Sequence, residues 1–144
     1  MDHSIPSTNR SAYPAPTPPD ALTYREFLPQ NPAEGFLKIQ ASRAQRALPT
    51  PDVEIFILQQ FNDQRVLFFR GKTDEDGLID NIILPAPPRR DSLQSANAGL
   101  GARYLVYADH ADFVAESHEI EIFEGITSIL PIVMQLPQEN EPWQ

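Results

Sequence analysis

Apolar side chains recur at every second position through much of this chain, the period of a strand that turns one face to a core. In Gly35–Ser42, Leu37, Ile39 and Ala41 fall on one side and Lys38 and Gln40 on the other, a half-buried strand. Val53–Gln60 places Val53, Ile55 and Ile57 on one face and Glu54, Phe56 and Leu58 on the other. Arg65–Lys72 alternates in two registers at once, with Leu67 and Phe69 on one face and Val66 and Phe68 on the other. A strand apolar on both faces belongs near the middle of a sheet or under a covering segment. Asn62-Asp63 predicts the hairpin turn between these two strands. Thr73-Asp74-Glu75-Asp76-Gly77 predicts a second tight reversal, with an Asp bonding its own backbone and Gly77 at positive φ. A strand then runs from Leu78 to Leu84, where Pro85 and Pro87 stop it. Ala102–Ala108, Phe113–Phe123 and Thr127–Leu136 bring the number to seven, with Gly125 in the last turn and Pro131 marking the final strand as bulged or at an edge. Seven short strands with turn signals roughly every ten residues predict an all-β antiparallel sandwich.

A short helix precedes the strands. Thr23 followed by Glu26 is a capping box, and Leu22 and Phe27 are placed for the hydrophobic staple around it. Pro29 and Pro32 hold the helix to one or two turns, too short to stand without docking. The apolar side chains Phe56, Leu58, Val66 and Phe68 share a face that the sandwich interior does not use. Leu22, Phe27 and Leu28 are expected to lie over it; left bare, it is a patch that recruits a partner, a second copy of this chain included. Residues 1–21 hold Pro6, Pro14, Pro16, Pro18 and Pro19 among small polar residues, the composition of a disordered or polyproline-like tail. The domain is expected to span residues 22–137, with an acidic tail over 138–144. Pro85–Gly101 is a long irregular connection, a length that in compact domains goes with function or mobility.

Charge and composition narrow the classes. A formal charge of −9 over 144 residues argues against nucleic acid, which calls for a basic footprint. After Arg103 the chain has eight acids and no Lys or Arg, either a solvated sheet face or a surface for a basic partner. With no cysteine, disulfides and thiolate metal sites are excluded. No apolar run approaches the roughly 18 residues of a membrane span. The first ten residues have neither a basic start nor an apolar core, so no ordinary secretory signal is expected, and the final compartment is left open.

Few positions carry the signature of chemistry. Asp74, Asp76, Gly77, Ile79 and Asp80 resemble a calcium loop, but that register puts Lys72 at the first ligand position and Ile83 where a bidentate Glu is required. The hairpin turn is the better reading. His3, His110 and His118 have no second ligand at metal spacing, and His118 reads as an exposed or satisfied strand residue. No serine sits in a nucleophile elbow, and Ala98-Gly99-Leu100-Gly101 lacks the spacing and lysine of a phosphate loop. Arg89-Arg90 either clamps an anion bidentately or pairs with Asp91 and the acidic last third. No cofactor is expected.

Three pieces in order resemble the carboxypeptidase regulatory-like, or transthyretin-like (prealbumin-like), β-sandwich family. They are Phe36–Gln40 with Ala47–Ile55, Thr73–Gly77 leading to Ile82–Pro87, and Tyr104–Asp112 with Phe123–Ile129. The likeness covers about residues 22–137 and is greatest to small domains of clostridial-type bacteria, including the non-catalytic region of spore cortex-lytic enzymes. These have a similar Tyr24…Phe27-Leu28…Leu37-Lys38-Ile39-Gln40 opening and a Thr73-Asp74…Gly77…Leu84-Pro85-Ala86-Pro87 centre. Where the family places Gly before the second strand's valine, this chain has Asp52. The hydrolase branch ends in Tyr-Arg-Gly-Ser, whereas this chain ends Pro142-Trp143-Gln144; the isopeptide branch needs an Asn in the last strand, and Ser128–Leu136 has none. The resemblance thus implies a non-catalytic binding or assembly module with a protein or peptidoglycan partner, in cell-wall or spore cortex machinery. A small hydrolase is the alternative. Phe56, Phe68, Arg89 and Arg90 are the candidate interaction residues.

Overall fold

The strand pattern closes into two sheets packed face to face. A computed structural model describes residues 22–89 and 101–138. In chain order these form α1 (Tyr24–Gln30), β1 (Ala33–Arg43), β2 (Leu48–Pro49), β3 (Glu54–Gln60), β4 (Arg65–Lys72), β5 (Leu78–Ala86), β6 (Ala102–Asp109), β7 (Glu116–Ile122) and β8 (Thr127–Val133). One sheet has β1 at its centre, with β5 antiparallel on one side and β8 parallel on the other. The other runs β4-β3-β6-β7, antiparallel throughout. The all-β sandwich with a short N-terminal helix is therefore the fold of the described residues. The expected tail over residues 1–21 and all but the first residue of the 138–144 tail lie outside them.

Alternation puts Leu37, Ile39, Ala41, Ile55, Ile57, Val106, Ile122 and Ile132 into one buried cluster between the sheets. Each Leu, Ile or Val among them taken from water contributes about 1.5–3 kcal/mol. The helix forms where its capping box predicts. The Thr23 side chain accepts from Glu26 N–H, and the Glu26 carboxylate accepts from Thr23 N–H. Tyr24 and Phe27 plug one end of the sandwich, packing against Phe61 and Phe68; Phe27 also meets Tyr104 edge-on at 6.4 Å. The Tyr104 hydroxyl donates to the Pro85 carbonyl at 2.6 Å, tying the two sheets together near the same end.

Several expectations are corrected by the tertiary structure. Eight strands, not seven, stand among the described residues: between β1 and β3 the two-residue β2 pairs Ser42 with Pro49 and Arg43 with Leu48. The arrangement is not wholly antiparallel, because β8 returns beside β1 in the same direction. Thr73–Gly77 does not close a hairpin either, since β4 and β5 belong to different sheets. It is nonetheless a tight turn. Asp74 Oδ1 accepts from Asp76 and Leu78 N–H at 2.9 Å each, and Gly77 has φ +76. A Cβ there would stand 2.3 Å from the Ala41 carbonyl oxygen.

The doubly apolar strand β4 is an edge strand, not a central one. Its register explains why. Ile57 pairs with Phe69 but Leu58 pairs with Leu67, so Phe68 is the extra residue of a β-bulge. The bulge switches the side-chain parity. Phe68, Phe69 and Val66 all pack on the inter-sheet cluster, while Leu67 goes to the opposite face with Phe56 and Leu58. The face shared by Phe56 and Phe68 in strict alternation does not exist. α1 covers Phe68 from within the sandwich and does not lie over Phe56.

Candidate functional site

The end of the sandwich opposite α1 is open. Four segments converge there: the β1–β2 turn, the β2–β3 corner, the β6–β7 loop and the residues after β8. They enclose a cavity of about 1020 Å³, at the upper end of what small-molecule and peptide sites occupy. Its apolar wall includes Phe113, Met134 and Leu136, and its polar groups include Arg43, Thr50, Asp52, His110 and Asp112.

Each wall has a local cause. Ala44, Gln45 and Arg46 take φ of 53°, 55° and 77°, and Asp52 takes 62°. Three of these, Ala44, Gln45 and Asp52, line the cavity, and each left-handed non-glycine residue stores strain of about 1–2 kcal/mol, held in place by surrounding bonds. At the corner those bonds run through Thr73. Its hydroxyl accepts from Val53 N–H at 2.9 Å and donates to the Thr50 carbonyl at 2.8 Å. Asp52 N–H donates to the Thr73 carbonyl and Thr73 N–H to the Val53 carbonyl, both at 3.0 Å. Asp52 therefore holds a left-handed turn, which Asp tolerates better than most residues.

The β6–β7 loop presents His110. Its Nδ1 accepts from Asp112 N–H at 3.0 Å, which in the neutral ring leaves the proton on Nε2, and the ring meets Phe113 edge-on at 5.1 Å. Val114 N–H donates to the Gln135 carbonyl at 2.8 Å and Met134 N–H to the Ser42 carbonyl at 2.7 Å, fixing the far wall. The Arg43 guanidinium donates to the Pro49 carbonyl at 3.1 Å. Thr50 is 1% exposed, and its Oγ1 has no hydrogen-bond partner. A buried hydroxyl left without a partner costs about 1–3 kcal/mol. The set offers donors, carboxylate acceptors and an apolar wall side by side, suited to an amphipathic ligand such as a short peptide. The groups with displaced ionisation lie elsewhere. Burial pushes the Tyr104 hydroxyl far above its ordinary value, against a lowering contact from Gln59, and burial likewise raises Tyr107.

The candidate residues from the sequence stand apart from this cavity. Phe56 is buried on the outer face of β3, beneath the Arg70 guanidinium at 5.2 Å. Phe68 is inside the sandwich, near α1. Arg89 N–H donates to Glu124 Oε1 at 2.5 Å, and Arg90 lies outside the described residues. His118 is partly buried and turned inward, with Nε2 buried and without a hydrogen-bond partner, neither exposed nor satisfied. The Asp-rich turn brings no third ligand to a metal; no cluster of three His, Asp or Glu among the described residues could hold one. No helix among the described residues is long and apolar enough to cross a membrane. The sequence hid the cavity because its walls come from four loops far apart in the chain.

No family model matches the chain, and no curated protein matches it. Similar solved structures exist. The Bacillus anthracis TIE protein matches at TM-score 0.50 and 16% identity over 72% of this chain and 17% of its own. An (S)-allantoin synthase matches at 0.49 and 12% identity, over 74% of this chain and 42% of its own. Transthyretin from Sparus aurata matches at 0.40 and 17% identity, over 67% and 89%. The likeness is one of fold. This chain spans less than half the length of the first two.

Proposed function

We propose that the chain is a binding module that takes a short peptide segment, from a partner protein or a peptidoglycan stem, in the cavity opposite α1. The observation that carries the reading is a roughly peptide-sized cavity in which Arg43, Asp52, His110 and Asp112 stand beside Phe113 and Met134, bordered by strained turns. Such strain persists where the surrounding structure over-determines it, and it gathers at ligand clamps. The context of bacterial cell-wall or spore cortex machinery rests on the family resemblance of residues 22–137. The alternative, a small hydrolase, draws on His110 beside two carboxylates; the fold does not choose, since an enzyme stands among the similar structures.

Titration of the isotope-labelled chain with muropeptides and with short synthetic peptides tests this. Amide shifts are expected at Ala44, Thr50, His110 and Phe113, with at least tenfold weaker binding in Phe113→Ala. Millimolar ligand that moves none of these amides overturns the reading. Cleaved ligand in the mass spectrum, lost in His110→Ala, supports the hydrolase instead.

A further inference from the structure

The cavity opposite α1 carries opposite charges on its two walls. Leu37, Ile39 and Ala41 turn into the sandwich and are buried, and the same alternation brings Arg43 to the cavity where β1 ends. Asp52 and Asp112 line it from the other sheet. β3 pairs its Glu54 with Asp109 of β6, so the corner before β3 and the loop after β6 leave that sheet side by side. Among the described residues neither carboxylate accepts a hydrogen bond or joins an ion pair, with Arg43 or any other cation. After Arg103 the chain has no Lys or Arg to neutralise them. One of the five N–H donors of the Arg43 guanidinium goes to the Pro49 carbonyl at 3.1 Å, and the rest remain for a carboxylate. Phe113 and Met134 line the same cavity.

We propose that the peptide held here is a carboxyl-terminal end with a basic side chain just upstream, its terminal carboxylate on Arg43 and its ammonium group against Asp52 and Asp112. The proposal rests on reading the cavity as a peptide site and names the class of peptide. An internal segment brings no carboxylate to Arg43, and a neutral or acidic one leaves the two Asp carboxylates without a counter-charge. The spacing agrees. Facing sheets stand about 10 Å apart, and the side chains on each wall narrow that gap. At about 3.3 Å per residue, charges one or two residues apart bridge it. An apolar residue between them meets Phe113 and Met134. A bidentate grip of a guanidinium on a carboxylate fixes which way the chain enters, and the acids then select the residue that follows it inward.

Three peptides titrated into the isotope-labelled full chain test this: acetyl-Lys-Phe-Ala with its terminal carboxylate, the same peptide as its terminal amide, and the acid form with norleucine in place of lysine. The first is expected to bind at least tenfold more tightly than either of the others. In Arg43→Gln the penalty for the amide should vanish while the penalty for norleucine stays. In the double variant Asp52→Asn, Asp112→Asn the reverse is expected, and Asn suits the left-handed backbone at position 52. Variants that weaken all three peptides alike would show a structural effect only and overturn the assignment. Three peptides that bind the parent equally well overturn the charge recognition and leave the cavity a peptide site. If none of them moves the amides of Ala44, Thr50, His110 and Phe113 at millimolar concentration, both readings fall.

Discussion

Thr73→Val removes one oxygen and leaves the shape of the side chain nearly unchanged. Thr73 is 3% exposed, and its hydroxyl satisfies Val53 N–H at 2.9 Å and the Thr50 carbonyl at 2.8 Å. Val53 is itself 0% exposed, so water does not replace the lost acceptor. A buried N–H left unsatisfied costs about 1–3 kcal/mol, and the lost net bond to the carbonyl adds about 1 kcal/mol. The expected cost is about 3 kcal/mol. At roughly 4 °C per kcal/mol for a fold of this size, the melting temperature should fall by about 12 °C. Urea denaturation should show a lower midpoint with an unchanged slope. Thr73→Ser is the control: it keeps the hydroxyl and should lose about 1 kcal/mol through the missing methyl. The same oxygen holds the Thr50 carbonyl at the cavity wall, so Thr73→Val should also weaken ligand binding while Thr73→Ser spares it. A Val variant that melts within about 2 °C of the parent refutes the claim that this hydroxyl joins the β2–β3 corner to the link after β4.

Gly77→Val should destabilise by about 3 kcal/mol, from a β-branched residue at φ +76 and a Cβ 2.3 Å from the Ala41 carbonyl; calorimetry reads it, and parental melting would remove the turn assignment. Asp52→Gly should stabilise by up to about 1 kcal/mol as the strain at φ 62° is released, and a loss beyond 1 kcal/mol would show that the Asp side chain holds the corner. Tyr104 and Tyr107 have folded-state pKa values raised above the ordinary 10.0, with burial as the largest cause. Their contribution to stability is present below pH 10 and is lost as the pH rises towards the folded values, since the unfolded chain releases these protons first. Absorbance at 295 nm should therefore show their phenolates arriving with unfolding, and full titration of both in the folded chain would contradict their burial. Millimolar calcium should leave the melting temperature unchanged, because the Asp74–Gly77 turn lacks a ligand set; a rise of several degrees would restore the calcium reading.

Local chemistry was legible where it acts over a few residues. The capping box at Thr23 and Glu26, the left-handed Gly77, the turn at Gly125, and the alternation of β1 each depend on neighbours in sequence, and each stands in the structure. The sandwich followed from the same period, because strands with one apolar face must bury it against another layer. What the tertiary structure decided is pairing. Whether β5 joins β4 or β1 turns on contacts between distant residues, and the turn between β4 and β5 has the same local chemistry in either case. The bulge at Phe68 is a property of the β3–β4 pair, since one extra residue is visible only against a partner's count, and it reverses which side chains face inward. The cavity is less local still. Its walls are loops brought together only when β8 returns beside β1, so the placement of Thr50 and His110 around one cavity could not be read from the order of residues.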